Sequence, residues 1–388
     1  MKVLYATYRY DPTNPDLGSS VDHERFVALS RAGFEIKVIG PVTNHLPFFE
    51  RTEQFIGRLY KRVTGKTFLK FPITTAWRAS KMLDNAVRHW KPDVIFSLFP
   101  SFFIFYAEDT PFIWELDTTF LGQETEWPFY GRLPLAFSVW QEQRAFSKAA
   151  GIVTMSEWSK RIIVESYSVR PERVKVIPMP SALPDNVIPK EINVQNEKHL
   201  DNTLRILLVG RVYERKGIDI AIEIVRQLNE QGQPAELTVC GLNEKSVKAP
   251  FVQFVGPYHK SDPEQLQQYV GWYRWAHILL HPARFEAAGI VPSEAAAFGT
   301  PTITNDTGGL ATTVKHGESG LVLPRNSSPE AYVQAIRELM AQPERYYALC
   351  QSTRQRYEKV LKSQVAGERL VQILQDAVSQ SRYDWMVF

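Results

Sequence analysis

Short apolar runs that alternate with helical patterns are the feature that most constrains the fold of this chain. Each run is too short for a helix and is rich in β-branched residues, whereas the segments between the runs carry helical spacing. This alternation is typical of β–α–β units and therefore predicts parallel sheets. Twelve runs are predicted to be strands: Lys2–Ala6, Glu35–Ile39, Asp93–Ser97, Phe112–Glu115, Gly151–Met155, Val174–Ile177, Arg205–Val209, Glu236–Cys240, Val252–Val255, Ile278–His281, Thr302–Thr304 and Leu321–Leu323.

The alternation has one clear interruption near the middle of the chain. With 388 residues the chain is too long for one ordinary core, and residues 183–202 are polar and without periodicity. We therefore predict a first domain over 1–185, a linker over 186–202 and a second domain over 203–364, with a C-terminal helix over 365–388 that completes the first domain. The expected fold class is α/β, with two tandem Rossmann-like doubly wound domains. Ligands are expected at the carboxyl ends of the strands, in the cleft between the domains.

Charge and cysteine content exclude several classes of protein. The net charge is only +3, so the whole chain is not expected to bind nucleic acid. Cys240 and Cys350 are too few for a disulfide framework. Neither a secretory signal pattern at the N-terminus nor an apolar run of about 18 residues is found. We therefore expect a cytoplasmic protein.

A loop with three cations follows the predicted strand at 205–209. It begins at Gly210, contains Arg211, Arg215 and Lys216, and leads through Gly217 into a helix. A diphosphate needs cations and free N–H groups, and a helix N-terminus supplies the latter. A basic, solvated loop whose glycines only form turns would have the same short pattern, so spacing alone leaves both interpretations open.

A second loop-to-helix junction runs from His281 to Pro301 and carries two carboxylates. Glu286 lies in the loop and Glu294 about one turn into the following helix, with Gly289 between them. Carboxylates suit sugar hydroxyls because each can accept two hydrogen bonds, and N–H groups at Gly289–Val291 suit a phosphate. Glu294 alone is also explained by an acidic preference in the first helical turn.

This junction resembles the family 4 retaining glycosyltransferases of the GT-B fold. Their signature has two glutamates separated by seven residues, a glycine after the first and a Gly-Thr-Pro ending, which Glu286, Glu294, Gly289 and Gly299-Thr300-Pro301 match. The loop from Gly210 is similar to the diphosphate loop of the same family. Further matches in the second domain are Phe254-Val255-Gly256, Gly308-Gly309 and 316–322; looser ones in the first are 149–160 and 175–178.

The resemblance implies roles for particular residues. Glu286 would hold the hydroxyls of the donor sugar, Glu294 the ribose of the nucleoside, and Arg211 with Lys216 would neutralise the leaving diphosphate. The candidate catalytic residues are Glu286, Arg211, Lys216 and Asp117. The candidate donor-binding residues are Gly18, Ser19, Gly210, Arg211, Lys216, Glu286, Ala288, Gly289, Ile290, Val291 and Glu294.

The first domain departs from the family pattern. The family usually has a Gly-Gly pair after the first strand, where this chain offers Gly18-Ser19-Ser20; an ordinary β–α connection is the alternative interpretation. Many members carry a His before an Asp at the end of the fourth strand, where this chain has Leu116 before Asp117. Asp117 or Glu115 would then supply the acceptor-side polar group, unless Asp117 only caps a turn.

No Asp-x-Asp motif occurs, and the cationic loop can neutralise a leaving diphosphate, so we expect a metal-independent transferase without a cofactor. The resemblance implies retention of configuration, a nucleotide-sugar donor and a glycan, lipid-linked or small-molecule hydroxyl acceptor. A sugar-nucleotide 2-epimerase of the same fold and an inactive nucleotide-sugar-binding homologue are the alternatives.

Residues 48–91 form a basic segment with interleaved aromatic residues. From Arg51 to Lys91 ten basic side chains stand against two acidic ones. A basic amphipathic stretch of this kind can lie on an anionic membrane, which here would be its inner face. Solvated helix faces around an ordinary packed domain are the alternative.

Overall fold

The computed structural model describes residues 1–8, 10–14, 21–42, 48–68, 72–200, 202–243, 247 and 249–383. The chain divides into two compact units. The first comprises residues 1–177 and the C-terminal segment from Ala366, and the second comprises residues 178–365.

The first unit is built on a six-stranded sheet in which every observed pairing is parallel. Its strands follow the order β2-β1-β3-β4-β5-β6. They are β1 (Lys2–Ala6), β2 (Glu35–Ile39), β3 (Val94–Ser97), β4 (Phe112–Leu116), β5 (Gly151–Thr154) and β6 (Val174–Val176). The helices of this unit are α1 (Val21–Arg31), α2 (Phe48–Thr64), α3 (Ile73–Trp90), α4 (Phe120–Glu126), α5 (Arg132–Lys148) and α6 (Glu157–Tyr167).

Both faces of this sheet are buried, which explains the continuous apolar runs. Along β1, Leu4 and Ala6 belong to one core, whereas Val3 and Tyr5 belong to another on the opposite face. Because side chains alternate along a strand, a run that is apolar at every position must be covered on both sides.

The second unit repeats this architecture with the strand order β12-β11-β10-β7-β8-β9. Its strands are β7 (Leu204–Val209), β8 (Ala235–Cys240), β9 (Val252–Val255), β10 (Ile278–His281), β11 (Thr302–Asn305) and β12 (Gly320–Leu323). Its helices are α7 (Val194–Glu197), α8 (Ile218–Glu230), α9 (Pro263–Trp275), α10 (Ile290–Ala297), α11 (Leu310–Thr313), α12 (Pro329–Met340) and α13 (Pro343–Arg356). All twelve predicted strands form, each with bounds within one residue of the prediction, and the predicted doubly wound α/β class is confirmed.

The last helix, α14 (Ser363–Tyr383), belongs to the first unit from Ala366 onward. Its residues Ala366, Leu370 and Leu374 are fully buried and share a core with Val3 and Tyr5 of β1. The C-terminal helix therefore covers one face of the first sheet. None of the helices within the described ranges is long and apolar enough to cross a membrane.

The polar segment 186–202, which we predicted as a linker, is instead part of the second unit. Lys198 is fully buried, and its ammonium donates hydrogen bonds to the carbonyls of Tyr273 (2.7 Å) and Ala276 (2.9 Å) and to the Thr300 hydroxyl (2.7 Å). Burial lowers the pKa of Lys198 to about 7. The segment looks like a linker in sequence because this contact joins residues about 75 to 102 positions apart.

Candidate active site

The loop between β7 and α8 is shaped by two glycines. A Cβ atom at Gly210 would lie 2.6 Å from Cγ of Lys216, so this position leaves room for the lysine side chain. Gly217 has φ +67°, and a Cβ atom there would lie 2.0 Å from the Pro282 carbonyl oxygen. Only glycine tolerates both that φ and that approach. The N-terminus of α8 is thus held against the loop that follows β10.

This packing brings two predicted site residues together, Lys216 and Glu286. The Lys216 ammonium donates a hydrogen bond to the Glu286 carboxylate. Nη1 of Arg215 lies 3.3 Å from the same carboxylate oxygen and also donates to the Phe285 carbonyl at 3.2 Å. The ring of His281, at the end of β10, approaches that oxygen to 3.7 Å. One carboxylate therefore faces two cations and a histidine.

The surroundings hold Glu286 in its ionised form. Burial by itself raises its pKa, but Lys216, His281 and Arg215 together hold the pKa well below its ordinary value. Burial lowers the pKa of Lys216, against the attraction of Glu286. Burial and the Lys216 charge also lower the pKa of His281, so its ring is neutral near pH 7. An ionised carboxylate with partly exposed edges can accept hydroxyl groups from a ligand.

The ring of His281 is fully buried, and neither of its nitrogens has a hydrogen-bond partner among the described residues. No individual role was predicted from the sequence for His281 or Arg215. Arg215 had a visible signal, because it stands in the same three-cation loop as Lys216. His281 had none beyond its place at a strand end, since its approach to Glu286 depends on tertiary packing.

Arg211, the other predicted cation, lies on the exposed part of the same loop. Within the part of the chain that the structure describes, it forms no ion pair. The structure therefore brings Lys216 to Glu286 but leaves the Arg211 side chain in solvent.

The start of α10 lies beside Glu286. Gly289 has φ +79° and precedes the helix without any side-chain cap, so the N–H groups of Ile290 and Val291 have no partner within the helix. The carbonyl of the preceding Ala288 accepts a hydrogen bond from the Thr313 hydroxyl. A Cβ atom at Gly289 would lie 3.4 Å from Cγ of Glu286. The predicted carboxylate and the predicted N–H groups are therefore neighbours.

Glu294 is less accessible than Glu286. Its carboxylate is fully buried and accepts hydrogen bonds from the hydroxyls of Tyr269 (2.6 Å) and Tyr273 (2.9 Å) and from the Lys260 ammonium. It lies beyond the first turn of α10, so a preference for the helix N-terminus does not explain it. These three partners were not predicted from the sequence, because the two tyrosines fit an ordinary apolar helix pattern.

The candidates of the first unit are less connected. Asp117 is exposed, and its carboxylate accepts the backbone N–H of Thr118 at 2.8 Å, as in a local turn. Glu115 is fully buried and is bound by Nε (2.9 Å) and Nη2 (2.5 Å) of Arg25, so it offers no accessible polar group. The predicted donor-binding residues Gly18 and Ser19 lie outside the described residues.

Nowhere in the described ranges do three or more His, Cys, Asp or Glu side chains gather into a group that could hold a metal ion.

Comparison with known proteins follows the division into two units. The family described as "Glycosyltransferase Family 4" matches residues 26–180, and the family described as "Glycosyl transferases group 1" matches residues 189–356. Together these matches take in most of the chain.

Among curated relatives, a "D-inositol 3-phosphate glycosyltransferase 1" of Catenulispora acidiphila is 33% identical over 165 residues, 37% of either chain. A "D-inositol 3-phosphate glycosyltransferase" of Thermobispora bispora is 28% identical over 229 residues, 55% of this chain and 53% of that protein. The chain thus spans about half the length, or less, of these relatives.

Two solved structures resemble the chain over nearly their whole length. A sucrose-phosphate synthase from Thermosynechococcus elongatus has a TM-score of 0.68 at 16% identity, with 98% of this chain and 99% of that chain covered. Anabaena Alr3699/HepE in complex with UDP-glucose has a TM-score of 0.63 at 15% identity, with 97% and 100% covered. At such identities the likeness shows the fold.

Proposed function

Because the chain belongs to the family 4 glycosyltransferases of the GT-B fold, we propose that it moves a sugar from a nucleoside diphosphate sugar to an acceptor hydroxyl, with retention of configuration and without a metal ion. The observation that carries the proposal is the Glu286 carboxylate flanked by Lys216 and Arg215 beside the N-terminus of α10.

The excess of positive charge at this point suits a leaving diphosphate. Lys216 and Arg215 both face Glu286, so one carboxylate charge is set against two cations. The N–H groups at the start of α10 add further donors. In an oxocarbenium-like transition state, negative charge grows on the leaving oxygens, and donors already in place stabilise it without reorganisation. Arg211, exposed on the same loop, is able to turn toward the diphosphate. These cations can do the work that a metal ion does in other transferases.

We assign Glu286 to the hydroxyls of the donor sugar. Its side chain keeps 14% of its surface exposed and is held in the ionised form, so its oxygens can accept hydroxyl hydrogen bonds. We assign Glu294 to the nucleoside ribose. Its partner Lys260 is 34% exposed and is therefore the contact that a ribose hydroxyl is able to replace.

The acceptor is proposed to be a glycan, a lipid-linked acceptor or a small molecule, in each case through a hydroxyl group. Asp117 is the candidate group on this side, since it is exposed whereas Glu115 is committed to Arg25.

The proposal is tested first by donor binding. The purified chain is screened by thermal shift against UDP, GDP, ADP and dTDP and their glucose derivatives, in EDTA throughout. A donor present at about 100 times its Kd stabilises the folded state by about 2.7 kcal/mol. The best donor is then incubated with pooled hydroxyl acceptors, and the anomeric configuration of the product is read by NMR.

The outcomes separate the alternatives. Transfer in EDTA with retained configuration supports the proposal, whereas transfer that requires added Mn²⁺ or Mg²⁺, or an inverted product, contradicts it. A 2-epimer formed without acceptor indicates an epimerase, and donor binding without any turnover indicates an inactive homologue. Glu223→Gln, a change at a partly exposed position on α8, is the matched control for site variants.

A further inference from the structure

Helix α2 presents an apolar stripe to the outside of the first unit. The side chains of Phe55, Leu59 and Val63 are 59%, 52% and 77% exposed, and those of Phe48 and Ile56 are 77% and 48% exposed. At about 100° per residue these five positions share one face of the helix. Isolated exposed apolar residues are ordinary, but a contiguous stripe marks an interaction surface.

The opposite face of α2 is the one that packs against the protein. Glu53 accepts hydrogen bonds from the backbone N–H of Ile73 (2.8 Å) and from the Thr74 hydroxyl (2.6 Å) at the start of α3. Two turns further on, the ring of Tyr60 packs against that of Phe68, with centroids 5.3 Å apart. The helix therefore uses a partly polar face inward and an apolar face outward, the reverse of an ordinary surface helix.

A row of cations runs along one flank of the stripe. Arg51, Arg58 and Arg62 are spaced by seven and four residues, which places them on one side of the apolar face, and all three are exposed. On the neighbouring helix α3, Trp77 is 56% exposed. Aliphatic and aromatic groups beside a line of arginines match the boundary between acyl chains and anionic headgroups.

We propose that the outward face of α2 docks this protein onto an anionic lipid bilayer, with the stripe 48/55/56/59/63 in the headgroup–acyl boundary and Arg58 and Arg62 on lipid phosphates. The helix has 17 residues and would lie in the plane of the membrane. Charge complementarity favours the bilayer over a second copy of the chain, because lipid phosphates can pair with the arginine row, whereas two stripes packed antiparallel would bring their arginine rows together.

Vesicle co-sedimentation of the full chain tests the proposal. Vesicles of phosphatidylcholine alone are compared with vesicles that also contain phosphatidylglycerol. We expect partitioning only onto the latter, weakening as salt is added. The pair Phe55→Ser and Leu59→Ser should abolish partitioning. The pair Arg58→Glu and Arg62→Glu should weaken it by at least about 25-fold, since each cation near an anionic surface contributes a factor of about five.

A matched charge control is available in the second unit. Arg345→Glu with Lys359→Glu replaces two exposed cations and changes the net charge by the same amount. This control should partition like the unchanged chain. All variants should keep the thermal midpoint and the rate of donor hydrolysis, because none of these residues touches the candidate active site.

Three results would overturn the proposal. The first is no difference between the two vesicle types, and the second is an equal loss of partitioning in the charge control. The third is lipid-independent self-association, detected by light scattering and abolished by Phe55→Ser with Leu59→Ser, because the stripe would then bind a second copy.

Discussion

The two units use a buried carboxylate–cation contact in opposite ways. In the first unit, Arg25 and Glu115 have side-chain exposures of 1% and 0%, and two guanidinium nitrogens hold one carboxylate. In the second unit, Glu286 is 14% exposed, and its partners Lys216 and Arg215 are 9% and 29% exposed. A fully dehydrated pair cannot exchange partners with a ligand, whereas a contact that keeps an open edge can.

The balance of charge differs as well. Arg25 is matched to one carboxylate, but Glu286 faces two cations and a neutral histidine. In the first arrangement the two charges cancel, so the pair serves stability. The second has positive charge left over, as a site for an anionic leaving group requires.

The largest expected effect is on stability in the first unit. Arg25→Met leaves Glu115 buried and unpaired, so the free energy of unfolding should fall by about 3–5 kcal/mol. Urea denaturation followed by circular dichroism measures it. Arg88→Met, which breaks a pair with a 61% exposed arginine, should change it by less than about 1 kcal/mol. A similar small loss for both variants would mean that the buried pair contributes no more to stability than the exposed pair.

Glu286→Gln should act mainly on activity. Loss of the charged acceptor should lower kcat/KM for transfer by about 10²–10³-fold, while the unfolding free energy changes by less than for Arg25→Met because the site keeps contact with water. Steady-state transfer assays and urea denaturation are run on the same preparation. Transfer within tenfold of the unchanged chain would remove Glu286 from the site.

We expect an effect of intermediate size at Asp22, a carboxylate close to the Arg25–Glu115 pair. The Arg25 guanidinium forms its ion pair with Glu115. Burial, with Glu115 as a further cause, raises the pKa of Asp22 to about 6 against the hydrogen bond from Tyr5. A folded pKa above the unfolded one means that stability is lost as pH rises from about 4 to 6. Asp22→Asn should therefore stabilise the protein by up to about 3 kcal/mol at pH 8 and by little at pH 4. Denaturation curves at both pH values measure this change in unfolding free energy. An equal change at pH 4 and pH 8 would show that the raised pKa of Asp22 is not its cause.

The smallest effect concerns Glu294. Tyr269→Phe removes one of two tyrosine donors to the same oxygen, and Tyr273 remains at 2.9 Å. We expect a loss of about 1 kcal/mol in unfolding free energy, measured by denaturation, with Tyr258→Phe as a partly buried control. A loss above about 3 kcal/mol would show that Glu294 depends on this hydroxyl more than its geometry indicates.

Much of the fold was readable from local pattern. The strands at Val252–Val255 and Ile278–His281 were both predicted with their observed bounds, because short apolar runs are a short-range signal. The segment 186–202 was not, since its place in the second unit depends on Lys198 reaching carbonyls far along the chain. Of the predicted site residues, Glu286 and Lys216 come into contact, whereas His281, Arg215 and Lys260 were not predicted from the sequence and were found only in three dimensions.

The sequence by itself determined the doubly wound architecture, because short apolar runs that alternate with helical segments are typical of parallel sheets covered on both faces. It also determined that α2 has an apolar stripe. Only the tertiary structure decided that this stripe faces outward. It also decided that the Glu115 carboxylate is fully buried whereas the Glu286 carboxylate keeps an exposed edge. The physical reason is that exposure and partner choice depend on tertiary contacts, which join residues 20 positions apart at α2 and 70 to 90 positions apart at the two carboxylates, and which no local pattern encodes.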